Sequence, residues 1–428
     1  MTNKPVVKTL PNGVRLIVSP MHESESVSVH FFVGAGGRYE KDPADDGAAH
    51  FIEHLLFKGT HKRPKAKMIA EEVNGVGGVM NAYTTADHTS YYVKLPKKHF
   101  ELAADILSDI LTDPLFDPEE LERERKIVFE EMNIYRDDPA RYIFDFVGPM
   151  LWPESTLQTN VLGDNESIGK ISRDRLLSYF KSLYTMDNLV VSIAGHVDVE
   201  QAEALISKLL VSYNSHKTGG YDPAGGGLSP KLSSIIKNST NQTHLVLAGR
   251  GPHIAADDEA AMKVLATILG GGMSSRLFVT VREEKGLAYD IQMDTNGYAD
   301  AGSFDIYAGV GHDKALETIK AIKAEVVKLQ DHAVSQDELQ KAQEQMRGRL
   351  VMGLENNSAV ADVFGSQMVV MGRIWSIEEI LATIDGVTSA DVQKAAQTYL
   401  TGDKLRLAVI GPHTHKTVAE WEKVIEKG

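Results

Sequence analysis

Each half of the chain opens with a strand-like alternation of apolar and polar residues, at Val27–Val33 and Thr243–Ala248, and contains one further strand region. The further regions are Ser90–Leu95 in the first half and Ser303–Ala308 in the second half. A period of two residues is typical of a strand, and longer amphipathic segments with the helical period follow the strands in each half. This order predicts an α+β fold in which each half is an α/β sandwich of one sheet and its helices.

An internal duplication relates the two halves. Residues 45–59 align without gaps on residues 257–271, and both segments predict a largely apolar helix. The two copies differ at three aligned positions, which are His50, Glu53 and His54 in the first and Met262, Leu265 and Ala266 in the second. Since the second copy is apolar at these positions, the polar groups of the first copy indicate chemistry rather than a need of the fold.

A segment rich in glycine and proline separates the two copies. Residues 219–230 read GGYDPAGGGLSP, a composition typical of an interdomain linker. The duplication and this segment together predict a domain of residues 1–216, a linker of residues 217–230 and a homologous domain of residues 231–428.

Three polar side chains share one stripe of the first copy's helix. At about 100° per residue, His50 and His54 lie roughly 40° apart and Glu53 lies beside them. Two imidazoles one turn apart can bind one Zn²⁺ and leave positions for another ligand and a water, from which the carboxylate can take a proton. The alternative is a pair of core histidines, but burying these three groups among apolar residues is costly unless a metal compensates.

A second helix, predicted over Glu119–Tyr135 with Asp117 as N-cap, offers a third ligand. Its projection gives one apolar arc, formed by Leu121, Ile127, Val128, Met132, Ile134 and Tyr135. Glu124 and Glu131 fall near the middle of that arc, where an unpaired carboxylate is disfavoured. We therefore predict Glu131 as a metal ligand and Glu124 as a group that orients a ligand histidine or the water. Glu130 stays the alternative ligand, and Arg349 aligns with Glu131 in the second copy.

The HFIEH motif, followed 77 residues after His54 by Glu131, resembles the inverzincin peptidases of the pitrilysin family, M16. The two-domain bacterial branch that is similar to the mitochondrial processing peptidase resembles the chain over essentially its whole length. The resemblance implies the M16/LuxS-like metallohydrolase fold. It also implies one Zn²⁺ per chain, bound by His50, His54 and Glu131, with Glu53 as general base.

The same resemblance implies substrate-binding residues. An asparagine–alanine pair, here Asn81 and Ala82, bonds the substrate backbone from an edge strand in the family, although the residues alone also fit a turn. Arg282 and Tyr289 match the family's arginine–tyrosine segment, which holds the substrate carbonyl and stabilises the oxyanion. Taken alone, Arg282 also fits a solvated charge run, and Tyr289 an ordinary strand aromatic.

Composition narrows the classes of function. The chain has 428 residues, a net charge of −14 and no cysteine. The charge argues against a nucleic-acid partner, and the lack of cysteine excludes disulfides, thiolate zinc sites and cysteine nucleophiles. No apolar run of about 18 residues is present, so no membrane anchor is expected, and the expected location is the cytoplasm.

The metal constellation predicts a zinc-dependent endopeptidase, and the resemblance implies that it hydrolyses short or unfolded peptides inside a dimeric chamber. Family chambers contain four homologous domains, so a chain with two implies a homodimer, or alternatively a heterodimer with an inactive homologue. A non-catalytic scaffold, like the core subunits of related complexes, is the main rival hypothesis, although such subunits have usually lost part of the zinc constellation. A metal-storage module is a weaker rival hypothesis, because a chain of this length with a single metal site would store very little metal.

Overall fold

The structure, a computed structural model, describes residues 4–211, 216–230 and 232–426, so the predicted domain limits at residues 1, 231 and 428 lie outside the described residues. The strands are β1 Val6–Thr9, β2 Arg15–Pro20, β3 Ser26–Val33, β4 Val79–Thr84, β5 Thr89–Pro96, β6 Leu189–Gly195, β7 Leu232–Ile236, β8 Thr243–Gly251, β9 Ala288–Gly297, β10 Gly302–Val310 and β11 Arg406–Gly411. The α-helices are α1 Ala48–Leu56, α2 Ala66–Asn74, α3 Phe100–Thr112, α4 Pro118–Asp137, α5 Pro139–Tyr142, α6 Val147–Leu151, α7 Asn165–Lys170, α8 Arg173–Leu183, α9 Val199–Leu209, α10 Glu259–Gly270, α11 Ala315–Asp331, α12 Gln336–Gly353, α13 Asn357–Met371, α14 Ile377–Asp385, α15 Ser389–Tyr399 and α16 His415–Glu426. The predicted α+β fold is confirmed, and all four predicted strand regions are present.

The first compact unit is built on a six-stranded mixed sheet with the order β1-β2-β6-β3-β5-β4. It comprises Met1–Met132, Thr159–Asp222 and Leu350–Ser376. β3 and β6 are almost wholly buried because both faces of the sheet are covered. β4 is an edge strand, paired on one side only with β5. Asn81 and Ala82 therefore lie in a strand, and not in the turn that these residues also fitted when taken alone.

The second unit is built on a five-stranded mixed sheet with the order β7-β11-β8-β10-β9. It comprises Asn133–Gln158, Pro223–Arg349 and Ile377–Gly428. Helix α10, the duplicate of α1, packs into its core with Met262, Leu265 and Ala266 buried. The three positions that carry polar groups in α1 are thus ordinary core positions in α10.

Each unit contains a helical segment from the other half of the chain, which the contiguous domain limits predicted from the sequence do not include. In the first unit α13 lies against β3 and β6, where a Cβ at Gly365 would stand 2.0 Å from a ring carbon of Phe32. In the second unit Arg250 of β8 donates to the carbonyl of Leu151, and the Phe144 ring lies 6.0 Å from that of Tyr307. Such long-range exchange leaves no local signal in the sequence.

The second predicted helix is α4, and the Asp117 carboxylate accepts hydrogen bonds from the N–H groups of Glu119 and Glu120, as expected of an N-cap. The predicted apolar arc was too wide. The buried positions are Leu121, Glu124, Val128 and Met132, whereas Ile127 and Ile134 are 48% and 63% exposed. These isoleucines project roughly 100° from the centre of the buried stripe, so packing along that narrower stripe leaves them outside. Among the described residues, no helix combines the length and apolarity that crossing a membrane requires.

Candidate metal centre

The start of α1 is fixed by a carboxylate from the preceding loop. Gly47 precedes the helix with φ of 88°, and no side chain of its own caps the first turn. Instead, the buried Glu40 carboxylate accepts hydrogen bonds of 2.8 Å from the N–H groups of Gly47 and Ala49. These are the otherwise unpaired donors of a helix N-terminus, so Glu40 holds the end of the helix at which His50 lies.

The structure brings His50, His54 and Glu131 together. The Oε2 atom of Glu131 lies 3.6 Å from Nε2 of His50 and 3.6 Å from Nε2 of His54. One ligand atom from each residue lies within 4.8 Å of the others, and this is the only such group of three among the described residues. Tetrahedral zinc with bonds of 2.0–2.1 Å holds its ligand atoms roughly 3.4 Å apart, so two imidazoles and a carboxylate at this spacing fit the ion.

Burial keeps the His50 imidazole in the neutral form that can bind a metal. Desolvation, and after it the neighbouring His54, lowers the pKa of His50 to about 3. The imidazole is therefore neutral at physiological pH, and a neutral imidazole is the form that binds a metal. Of the two adjacent glutamates, Glu131 is half-buried against the histidines and Glu130 is exposed, so the geometry favours Glu131 as the third ligand.

Glu124 lies behind the histidine pair. Its Oε2 atom is 3.2 Å from Nδ1 of His54, and its Oε1 atom accepts from Lys58 Nζ at 2.8 Å. Burial acts to raise the pKa of Glu124, but the hydrogen bonds from His54 and Lys58 outweigh burial and lower it. An ionised carboxylate can only accept, so Nδ1 of His54 carries the proton and its Nε2 lone pair is directed toward the shared site.

Replacing Glu124 by glutamine should weaken zinc binding by about 10- to 100-fold, because the charged acceptor of His54 becomes a neutral amide, whose NH2 group can also donate to Nδ1 and favour the other tautomer. Chelator competition against zinc measures the effect. Glu122→Gln is the matched control, since Glu122 lies on the same helix with its side chain 64% exposed. Equal zinc affinity of the Glu124→Gln and wild-type chains would contradict the assigned role.

Glu53 is half-buried on α1 beside the ligand pair. Its Oε2 atom accepts a short hydrogen bond from the hydroxyl of Thr84, at the end of β4. Burial is the main cause that raises the pKa of Glu53, and the charge of Glu131 adds to it. The hydrogen bond from Thr84 and the proximity of His54 act in the opposite direction. A carboxylate with a raised pKa next to a metal site is suited to accept a proton.

Asn81 and Ala82 lie on the edge strand β4, paired across to Tyr92 and Tyr91 of β5. The Asn81 side chain is exposed, and its amide oxygen accepts from the N–H of Ala82 at 2.9 Å. That N–H therefore points away from β5, toward the open edge of the sheet. An extended peptide can add to such an edge through main-chain hydrogen bonds.

Sequence reasoning missed the groups that hold this arrangement from behind, namely Arg38, Glu40, Lys58 and Thr84. The buried Arg38 guanidinium donates to Asp87 at 2.8 Å, which fixes the turn between β4 and β5. Arg38 and Glu40 belong to one segment, GAGGRYE at residues 34–40. The sequence signal for these groups was a pair of charged residues that follows closely spaced glycines and precedes helix α1.

In the second unit, the structure brings Arg282 and Tyr289 together. The guanidinium carbon of Arg282 lies 4.6 Å from the ring centroid of Phe278 and 5.6 Å from that of Tyr289. Arg282 lies in a π-helix, Phe278–Glu284, and Tyr289 on the edge strand β9 is 74% exposed. Both side chains therefore present polar groups at the surface of this unit, and Arg282 forms no ion pair with a described residue.

The chain is similar to known proteins over most of its length. Residues 16–165 match the family model described as Insulinase (Peptidase family M16), and residues 170–346 match the Peptidase M16 inactive domain. An uncharacterized zinc protease of Streptomyces coelicolor is 34% identical over 416 residues, which cover 94% of this chain and 89% of the relative. Another uncharacterized zinc protease, from Bacillus subtilis, is 31% identical over 407 residues, which cover 94% of this chain and 97% of the relative. A crystal structure of a protease from Helicobacter pylori matches with a TM-score of 0.89 at 21% identity, over 96% of this chain and 100% of that chain.

Proposed function

The chain belongs to the M16 peptidase family, and we propose that it is a zinc-dependent endopeptidase that cleaves short or unfolded peptides. The observation that carries this proposal is the convergence of His50, His54 and Glu131, whose ligand atoms lie within 4.8 Å of one another. Glu53 stands on the same helix as the two histidines. Three ligands and an adjacent carboxylate are the minimum set for metal-assisted hydrolysis.

When bound, zinc would lower the pKa of a coordinated water toward about 7 and polarise the scissile carbonyl. In the proposed mechanism His50, His54 and Glu131 hold the ion, and Glu124 keeps His54 in the ligating tautomer. Glu53 accepts the proton of the attacking water and passes it to the leaving amine.

Substrate binding in this proposal uses the open edge of β4. When the peptide binds, the N–H of Ala82 exchanges its contact with the Asn81 amide oxygen for the peptide backbone, and the side-chain amide of Asn81 bonds that backbone as well. Arg282 and Tyr289 donate to the substrate carbonyl oxygen, where negative charge develops. Support for the pair comes from their proximity to each other and from the exposure of Tyr289.

A cleavage assay on a basic fluorogenic peptide tests the proposal. Protein purified without added metal should contain about one zinc per chain, cleave the peptide, lose activity with a chelator and regain it with zinc. A chain that binds zinc without cleaving any peptide would instead favour the non-catalytic scaffold. Absence of metal together with absence of cleavage would overturn the endopeptidase proposal.

We further propose a homodimer, because one chain contributes two of the four homologous domains that a family chamber needs while carrying both the metal cluster and the arginine–tyrosine pair. Sedimentation should show one symmetric species of about twice the chain mass. A fully active monomer would refute this, and activity only after addition of a homologous partner would identify a heterodimer. The cytoplasmic location expected from the sequence stays a prediction.

A further inference from the structure

We propose that Thr84 is a positioning residue for Glu53, an inference that rests on the proposed function. The Thr84 hydroxyl donates to Oε2 of Glu53, which leaves Oε1 as the oxygen able to face a water at the metal cluster. A glutamate side chain rotates about three bonds, and half-burial alone does not select one orientation of its carboxylate. A fixed hydrogen-bond donor on one carboxylate oxygen selects one orientation of the Glu53 carboxylate.

The hydroxyl proton of Thr84 is directed to Glu53, because the carboxylate oxygen is the nearer of its two neighbours and accepts rather than donates. Thr89, directly opposite Thr84 on β5, donates to the carbonyl of Ala35 at 2.8 Å, and its oxygen is 3.4 Å from that of Thr84. Thr84 is also β-branched, so its χ1 angle is stiff within a strand. The Thr84 hydroxyl therefore bonds the nearer acceptor, Glu53, and has little freedom to leave it.

The backbone that carries Thr84 is fixed at the adjoining turn. Thr85 donates its N–H to the carbonyl of His88 at 2.8 Å, and Asp87 of the same turn accepts from the buried Arg38. A Cβ at Gly36 would stand 2.4 Å from the carbonyl oxygen of Thr85, so glycine lets this loop pack directly on the turn. The loop of residues 34–40 thus supports Thr84 through the turn and α1 through Glu40.

Thr84 also links the general base to the strand proposed to bind substrate. It lies two residues after Ala82, and residues two apart on a strand project to the same face. Tyr83 projects to the opposite face, where its hydroxyl donates to Asp362 of α13 at 2.6 Å. The strand is therefore held on both faces, and only the contact made by Thr84 reaches a catalytic group.

The experiment compares Thr84→Val, which replaces the hydroxyl with a methyl group of similar size, with Thr84→Ser, which keeps the hydroxyl. We expect Thr84→Val to bind one zinc per chain with kcat about 10-fold lower and KM within about twofold of wild type. Thr84→Ser should recover most of kcat. The control Tyr83→Phe removes a hydroxyl from the neighbouring position and should leave kcat within about twofold.

Three outcomes would overturn the inference while the proposed function stands. These are an unchanged kcat in Thr84→Val, a loss in Thr84→Ser as large as in Thr84→Val, and an equal loss in Tyr83→Phe. If the valine chain does not fold, as judged by circular dichroism, Thr84→Ala takes its place under the same criteria. A wild-type chain without chelator-sensitive cleavage would refute the proposed function, and this inference with it.

Discussion

Glu53→Gln should retain zinc and the folded structure while kcat falls by about 10²- to 10⁴-fold, the range typical of losing a general base. The amide is nearly isosteric with the carboxylate, and its oxygen can still accept from the Thr84 hydroxyl. What disappears is the ability to take a proton from the attacking water. The ligand atoms of His50, His54 and Glu131 do not depend on Glu53, so the metal content should stay near one per chain.

Elemental analysis and steady-state kinetics on the same preparation measure both quantities. Glu71→Gln serves as control, because Glu71 lies on helix α2 with its side chain 64% exposed and, within the described part of the chain, forms an ion pair only with Lys67. A Glu53→Gln chain that purifies without zinc would show that Glu53 contributes to metal binding. Wild-type turnover in this variant would exclude Glu53 as the base.

Glu131→Gln should weaken zinc binding by more than about 100-fold, beyond the range expected for groups that only support a ligand. The carboxylate is the one anionic member of the cluster, and its Oε2 atom is equally close to both histidines. A neutral amide supplies a weaker ligand and no charge to balance the ion. Cleavage should fall in parallel and recover only in part with excess zinc.

Glu130→Gln provides the decisive comparison, since it makes the same chemical change one residue away. Glu130 is exposed on the opposite side of α4 from the buried stripe, so zinc affinity and turnover should match those of wild type. Isothermal titration of the metal-free chains with zinc distinguishes the two positions. Loss of zinc in Glu130→Gln with retention in Glu131→Gln would mean that α4 is rotated by about one residue relative to the structure.

The duplication extends to the way the chain passes between its two units. In the first copy the chain leaves the first unit after Met132, and in the second copy it leaves the second unit after Arg349, the residue that aligns with Glu131. The two aligned helices, α4 and α12, therefore each pass from one unit to the other at nearly the same aligned position. The second copy keeps this architecture with Met262, Leu265 and Ala266 buried in its core, although no metal ligand is left.

Local periodicity was enough to predict β3, β5, β8 and β10, the helices α1, α4 and α10, and the face of α1 that carries the candidate ligands. The period of a helix or strand depends only on neighbouring residues, so His50, Glu53 and His54 necessarily share a stripe once α1 forms. The choice of Glu131 over Glu130 used the same periodicity on α4. The width of the apolar arc was overestimated, because periodicity does not tell how much of a helix face meets a neighbour, as Ile127 and Ile134 show.

The sequence by itself thus determined the α+β class, the duplication and the two helices that carry the candidate ligands. Only the tertiary structure decided that Glu131 reaches both histidines, that Glu40 and Arg38 support α1 and the β4–β5 turn, and that Thr84 meets Glu53. It also decided which helical segments belong to which unit. These contacts join residues that local periodicity does not relate, and they exist only after sheets, loops and helices have packed. A single sequence carries no local signal for such distant pairings, since many partners of similar polarity would satisfy the same pattern.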